Sequence, residues 1–253
     1  MDHSEIVCCA MDIGENMLTS GAEVYRVEDC INRICTAYGA VNVNVFTITS
    51  SIVLTAEFPE EIRITQTRRI KGFTHNLDRV DRLNQLSRRI CTEELSYKDC
   101  KNELSAILGS KTYSYFTEAA AFALIAAAFT IFFGGSWQDS LISAIIGIIL
   151  KATVHFASAV NFNRVLSNLI SSFVMSVLAF VSVSLGLAKS AEMIVIGNIM
   201  LLIPGILLTN SIRDMITGDT MAGLLRFAEA IILALAIAAG YILASFLVGG
   251  ASV

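Results

Sequence analysis

Hydrophobic residues are distributed very unevenly along the chain. From residue 115 onward, five apolar stretches of about 16 to 25 residues follow one another with few polar residues between them. Stretches of this length predict membrane-spanning helices, because about 20 apolar residues in a helix cross the hydrocarbon core of a bilayer. The predicted spans are residues 115–133, 141–160, 165–187, 193–209 and 224–248.

The chain before these spans has an amphipathic pattern. Between Gly21 and Gly39 an apolar stripe recurs every three or four residues, which predicts a helix closed by the second glycine. From Val41 the period changes to two, and β-rich runs follow at residues 52–58 and 61–66. This alternation predicts three strands.

A second helical stripe covers residues 77–90, and the Ser96 to Asp99 spacing is typical of a capping box that opens a further helix. These elements are enough for a small domain. The sequence therefore predicts an α+β soluble N-terminal domain over residues 1–112. An all-α polytopic membrane domain of about five transmembrane helices is expected to follow over residues 113–253.

Charge divides the chain in the same way. The net charge is −4, with 18 Lys and Arg against 22 Asp and Glu, so the composition offers no basic footprint for nucleic acid. Residues 1–115 hold 13 of the 18 basic side chains. Two of these, Lys101 and Lys111, lie close to the first span, and Arg164 falls on the same side in the predicted topology, so the bias predicts an N-terminus inside the cell. The N-terminus does not resemble a secretory signal, and all six cysteines lie in the first half, where a cytosolic location keeps thiols reduced.

The first half carries none of the common catalytic motifs. It contains no G-x-S-x-G, H-E-x-x-H, P-loop or C-x-x-C sequence. The hydroxyl residues at 47–51 together with His75 leave open a hydrolase, but such residues are far commoner in turns and on surfaces. We predict no catalytic residue, no cofactor and no metal site.

Ionisable residues inside the predicted spans are candidates for function, because a charge at the centre of a span costs about 2.5 to 3.5 kcal/mol on insertion scales. Lys151 and His155 lie four residues apart on one helical face, while Glu118 and Glu229 open the first and last spans. The spacing predicts a site that binds a carboxylate and responds to protons. The alternative is a lysine that reaches the membrane surface and glutamates at the interface.

The fourth predicted span contains a proline. Pro204 removes a backbone donor and clashes with the preceding turn, so a kink or break is expected there. In transporters such breaks expose backbone groups to a central cavity. Asn198, Pro204, Gly205 and Asn210 are therefore candidate residues for substrate binding or proton coupling, with an inert packing kink as the alternative.

Two sets of residues, taken in order, resemble those of a known family over nearly the whole chain. The first set is Gly21-Ala22-Glu23, Arg26-Val27-Glu28, Gly39, Arg69-Ile70, Asn76-Leu77-Asp78, Leu83 and Arg88. The second is Pro204-Gly205, Asn210, Asp214, Gly218-Asp219, Gly223 and Arg226. Both sets resemble the threonine/serine exporter family of bacterial inner-membrane proteins.

The resemblance implies a multi-pass inner-membrane exporter with a cytoplasmic N-terminal domain. Its substrate would be threonine, serine or a small dicarboxylate such as succinate, and the proton gradient would drive it. A second small membrane subunit is expected as a partner, and a homo-oligomer is left open. We interpret the segment that contains Asp214, Gly218, Asp219, Gly223 and Arg226 as an inner gate, with a solvated turn that carries exposed charges as the alternative. The competing hypotheses are a membrane-tethered sensor or hydrolase, and a structural scaffold for a partner transporter.

Overall fold

The computed structural model describes residues 2–93, 95–110 and 113–248, and these residues form ten helices and one three-stranded sheet. The chain divides into two compact units. Unit 1 comprises Met1–Lys111 and Ile206–Phe227, and unit 2 comprises Thr112–Gly205 and Ala228–Val253.

Unit 1 is built from these elements: α1 (His3–Thr19), α2 (Val24–Ala37), β1 (Asn42–Ile48), β2 (Ser51–Glu57), β3 (Arg63–Arg69), α3 (Leu77–Glu93), α4 (Tyr97–Leu108), most of α9 (Gly205–Thr217) and the start of α10 (Thr220–Val248). The strands form an antiparallel sheet in the order β1-β2-β3, with Leu54 opposite Val45 on one side and Gln66 on the other. In the central strand every second residue is buried, and Ile52, Leu54 and Ala56 join the core against the helices.

Local signals behave as the sequence predicts at the ends of two helices. After α2 the chain turns at Gly39, which has a φ of +92°, and the Ala40 amide donates to the Cys35 carbonyl at 3.1 Å. At the start of α4 the Ser96 hydroxyl accepts from the Asp99 amide at 3.3 Å. The predicted helices and the three predicted strands of residues 21–108 are thus confirmed.

Unit 2 contains the remaining helices: α5 (Tyr115–Phe132), α6 (Trp137–Ala159), α7 (Arg164–Ser184), α8 (Ala191–Ile199) and the later part of α10. Among the described residues, four helices are long and apolar enough to cross a membrane, namely α5, α6, α7 and α10. Large apolar side chains such as Leu124 and Phe246 are exposed on them, as expected for helices whose solvent is lipid. Small residues allow close packing: a Cβ on Gly147 would lie 2.8 Å from the Phe122 carbonyl oxygen.

The predicted fold class is wrong in two respects. Residues 206–227 belong to unit 1, so an N-terminal α+β domain is not simply followed by a separate membrane domain, and the described part of the chain is mainly helical. The predicted span 193–209 is also not one helix, because α8 ends at Ile199 and α9 begins at Gly205. Pro204 lies at this break, where its missing amide donor cannot continue a helix.

Two sequence predictions cannot be compared with the fold. Lys111, used above to orient the chain, and the expected boundary at residue 112 lie outside the described residues. The cytosolic location of residues 1–112 stays a prediction.

Candidate functional site

A buried loop connects α1 to α2 in unit 1. Gly21 adopts a φ of +96°, and a Cβ at this position would lie 3.0 Å from the Nδ1 atom of His75. An L side chain would be strained there, which explains the glycine. The turn leaves the carbonyl oxygens of Gly21 and Ala22 and the amide of Val24 available to partners outside the loop.

Three side chains from α9 and α10 use those backbone groups. Asn210 donates from Nδ2 to the Gly21 carbonyl at 3.0 Å, and Arg226 donates from Nη2 to the Ala22 carbonyl at 2.9 Å. Asp214 accepts from the Val24 amide at 3.3 Å. We call Asn210, Asp214, Arg226 and the loop backbone of residues 21–24 the polar cluster.

The polar cluster contains a buried ion pair. Nη1 of Arg226 lies 2.9 Å from Oδ2 of Asp214, and the two side chains are only 4% and 1% exposed. Burial raises the pKa of Asp214, and the positive charge of Arg226 opposes that rise. A second, more exposed pair joins Arg213 to Glu23 at the edge of the cluster. Two of the predicted gate residues, Asp214 and Arg226, are therefore brought into direct contact.

The other predicted gate residues shape the connection between α9 and α10. Gly218 has a φ of +104°, and the Asp219 amide donates to the Asp214 carbonyl at 2.8 Å. A Cβ on Gly223 would come 2.6 Å from the Ser211 carbonyl oxygen, so only glycine lets the two helices approach this closely.

Asp219 also influences a carboxyl group on α2. The Glu28 carboxylate accepts from the Thr47 amide at 2.7 Å. Burial raises the pKa of Glu28, and the negative charge of Asp219 raises it further.

Unit 2 places the predicted intramembrane charges in pairs. Lys151 on α6 forms an ion pair with Glu118 on α5, and its side chain is 14% exposed. His155 contacts the ring of Tyr115, with ring centroids 5.3 Å apart. Glu229 does not join Lys151 in a pair; its carboxylate lies 3.3 Å from Nη1 of Arg164.

A second polar group lies at Asn198, near the end of α8. Its Nδ2 donates to the Ser143 hydroxyl at 2.8 Å, and the Thr130 hydroxyl also donates to Ser143, at 2.7 Å. Asn198 is fully buried, and its Oδ1 makes no hydrogen bond to any described residue. Buried amide oxygens normally accept a hydrogen bond. Because Oδ1 of Asn198 has no such bond to a described residue, it can accept one from a bound solute or a water molecule.

The sequence of residues 9–248 matches the family described as "Putative threonine/serine exporter" (ThrE). The chain belongs to the ThrE family. This agrees with the motif resemblance, and the ordered residues that carried the resemblance include those that form the polar cluster.

Two ThrE relatives share low identity with the chain. It is 25% identical over 252 residues to the "Threonine/serine exporter" of Corynebacterium glutamicum, covering 94% of this chain and 51% of that protein. It is 24% identical over 229 residues to the "Probable succinate transporter subunit YjjP" of Klebsiella aerogenes, covering 90% of this chain and 88% of that protein. The chain thus spans about half the length of the Corynebacterium relative. No solved structure matches.

Two features of this ThrE chain were missed by the sequence predictions. Thr130 and Ser143 were overlooked because hydroxyl residues in apolar helices usually bond their own helix backbone. Asp139 was also missed, although Ser136 three residues earlier has the spacing of a capping box. Asp139 is buried and accepts from the amides of Lys189 and Ser190 at 2.7 and 3.0 Å, so it fastens the α7–α8 connection.

Within the described residues, no group of three or more His, Cys, Asp or Glu could hold a metal ion.

Proposed function

We propose that this chain is the larger module of a secondary active exporter of small hydrophilic carboxylates. Threonine, serine and a small dicarboxylate such as succinate form the substrate class. The proposal assigns transport, and no catalysis, to the chain. The observation that carries it is the ion pair between Lys151 and Glu118 on two apolar helices. Ionisable groups in membrane segments are costly and commonly mark solute or proton paths. Family membership and the names of the two relatives support the same class.

Proton coupling would act through the partner of Lys151. While Glu118 is ionised, it competes with a substrate carboxylate for the lysine. A proton on Glu118 would remove that competition, since a neutral carboxyl group binds an ammonium ion far more weakly. His155 lies on the same face of α6 as Lys151. We assign to His155 a tuning role in the pH dependence of transport.

The unpaired oxygen of Asn198 and the break at Pro204 add to the proposed path. The Asn198 amide oxygen is an acceptor suited to the ammonium or hydroxyl group of an amino acid. Gly205 opens α9 directly after the break, and interrupted helices in transporters supply backbone groups to solutes.

We further propose that the polar cluster holds the inner gate closed. Asp214 and Arg226 pair across α9 and α10, and both also bond the backbone of residues 21–24. The glycines at 218 and 223 lie in the same connection and permit a change of backbone shape. Opening would separate the ion pair and free the loop.

The placement in the cell follows the same proposal. The spans would cross the bacterial inner membrane with residues 1–112 in the cytoplasm. A second small membrane subunit would complete the transporter, as the word "subunit" in the name of the Klebsiella relative suggests for that protein. A homo-oligomer of the chain is compatible with this arrangement.

Reconstituted vesicles test the transport proposal. The chain is inserted with candidate second modules, and counterflow of labelled threonine, serine and succinate is measured for wild type and for Lys151→Gln. We expect Lys151→Gln to abolish carboxylate counterflow, His155→Ala to alter mainly its pH dependence, and Glu118→Gln to remove the response to a proton gradient. The matched control is Lys189→Gln, an exposed lysine in the α7–α8 connection, which should keep the wild-type rate.

An unchanged rate and pH profile in a normally inserted Lys151→Gln variant would refute the assignment of Lys151. Absence of flux for all three substrates, with every module present, would refute the proposed substrate class.

A further inference from the structure

A large groove lies between α2 and α3 in unit 1. Its volume is about 790 Å³. This falls within the range of about 300 to 1,000 Å³ found for small-molecule sites. Buried Cys30 and Ser87 lie at its base, and exposed Tyr25 lies at its edge. The groove is thus large enough for a metabolite and contains no membrane-spanning residue.

The groove is positively charged although the chain as a whole is negative. Three arginines line it, Arg26, Arg33 and Arg88, against one carboxylate, Asp29. Nε of Arg33 lies 2.9 Å from Asp29, so that charge is offset locally. The lining therefore carries a net charge of +2 at neutral pH.

Arg88 is the cation that remains available. Arg26 is paired with Glu23 at 2.8 Å, and Arg33 with Asp29, whereas the Arg88 guanidinium makes no ion pair with any described residue. Arg88 is exposed on α3, one turn from the amide side chain of Asn84. A guanidinium beside an amide is a donor set suited to carboxylate or phosphate oxygens.

An acidic cavity on the other side of α2 limits where an anion can bind. This second cavity has a volume of about 490 Å³ and is lined by Glu28, Asp29 and Asp219, among others. Asp29 borders both cavities and is paired with Arg33, and Arg26 is paired with Glu23, so both cations on the α2 side already have a carboxylate partner. An anion is therefore favoured at the α3 side, next to Arg88.

From this arrangement we infer a binding site for a small organic anion with a carboxylate or phosphate group, in the α2–α3 groove at Arg88 and Asn84. The site is distinct from the proposed transport path, since its residues lie in unit 1 and none belongs to a candidate span. The inference does not depend on the proposed function.

Cys91 supplies a direct readout of binding. It is half-buried in the groove, while Cys8 is equally half-buried but does not line it. The full-length protein in detergent is treated with iodoacetamide, and alkylation of each cysteine is followed by mass spectrometry. Succinate and inorganic phosphate are the two probes, and ionic strength is matched with sodium chloride.

We expect one or both probes to slow alkylation of Cys91 with a saturable dependence on concentration and to leave Cys8 unaffected. The effective probe shows whether the head group is carboxylate or phosphate. Arg88→Gln should raise the half-saturating concentration about tenfold, which corresponds to about 1.4 kcal/mol. The matched control, Arg82→Gln, removes an exposed α3 arginine paired with Asp78 and should not change it. Each variant is compared with itself without probe, because Arg88 can also affect the thiol directly.

Two results would overturn the inference. One is unchanged Cys91 alkylation with both probes at concentrations up to about 10 mM, well above a millimolar dissociation constant. The other is equal weakening by Arg88→Gln and Arg82→Gln, which would show general surface attraction. Lys151→Gln separates this site from the transport path, since it should leave Cys91 protection intact whatever it does to flux.

Discussion

Breaking the ion pair of the polar cluster should destabilise unit 1 strongly. Asp214 and Arg226 are 1% and 4% exposed, so removal of either charge leaves the other buried without its partner. Such a loss typically costs about 3 to 5 kcal/mol. For a unit of about 130 residues, 1 kcal/mol shifts the unfolding midpoint by roughly 3 to 5 °C. Asp214→Asn should therefore lower the midpoint by about 10 °C or more.

The cysteine distribution provides the assay. All six cysteines lie in residues 8–100, and Cys9, Cys30, Cys35 and Cys100 are buried. A thiol-reactive fluorescent dye therefore reports the unfolding of unit 1 and is blind to unit 2. Arg213→Gln is the matched control, because Arg213 pairs with Glu23 while its side chain is 52% exposed. Exposed pairs contribute under about 1 kcal/mol, so this variant should shift the midpoint by only a few degrees.

The pH dependence of the stability of the Arg226→Gln variant gives an independent check. Burial raises the pKa of Asp214 and Arg226 opposes the rise, so Arg226→Gln should move that pKa further upward. When a carboxyl group has a higher pKa in the folded state than in the unfolded state, the protein loses stability as the pH rises through the folded-state pKa. The Arg226→Gln variant should therefore be less destabilised at pH 5 than at pH 8.

A double variant completes the test. Asp214→Asn with Arg226→Gln removes both charges and should cost less than the sum of the two single variants. Strict additivity, or an Asp214→Asn midpoint as close to wild type as that of Arg213→Gln, would refute the argument that the pair is energetically coupled.

Three further predictions follow from the break, the helix contact and the topology. The Pro204→Ala variant should insert normally yet lose transport in the counterflow assay. Full flux in this variant would show that the break at Pro204 serves only helix packing. Gly223→Ala should lower the stability of unit 1 by about 1 to 3 kcal/mol in the dye assay, because the new methyl group overlaps the Ser211 carbonyl. Gly72→Ala, where a Cβ meets no atom within 4 Å, is its control. Protease added to intact cells should not cut residues 60–75, and cleavage there would contradict the cytoplasmic placement.

Periodic elements were predictable from the sequence, whereas contacts distant in sequence were not. The period-two pattern of β1 and the stripe of α2 each follow from a face that packs against the core, so they can be read without the fold. Helix α1 was missed although Ile6, Val7 and Met11 are buried. Its buried residues Ile6, Ala10, Ile13 and Met17 recur every three or four residues, so the stripe is present in the sequence and was overlooked.

The polar cluster shows the same limit at the candidate site. The sequence shows charges at Asp214 and Arg226 and a glycine at 21, but Asp214 and Val24 are separated by 190 residues. No local rule specifies that pairing. The motif resemblance identified the residues without giving their contacts, and it therefore could not show that residues 206–227 belong to unit 1.

Because unit 1 is assembled from two distant parts of the chain, its completion is delayed during synthesis. The ribosome makes about 5 to 20 residues per second. The roughly 115 residues between 111 and 226 therefore take about 6 to 23 seconds, and α5, α6 and α7 are made in that interval. Until Asn210, Asp214 and Arg226 are made, the carbonyls of Gly21 and Ala22 and the Val24 amide lack the partners that they have in the folded structure. The hydrophobic helices α5, α6 and α7 are thus synthesised before the last residues that close unit 1.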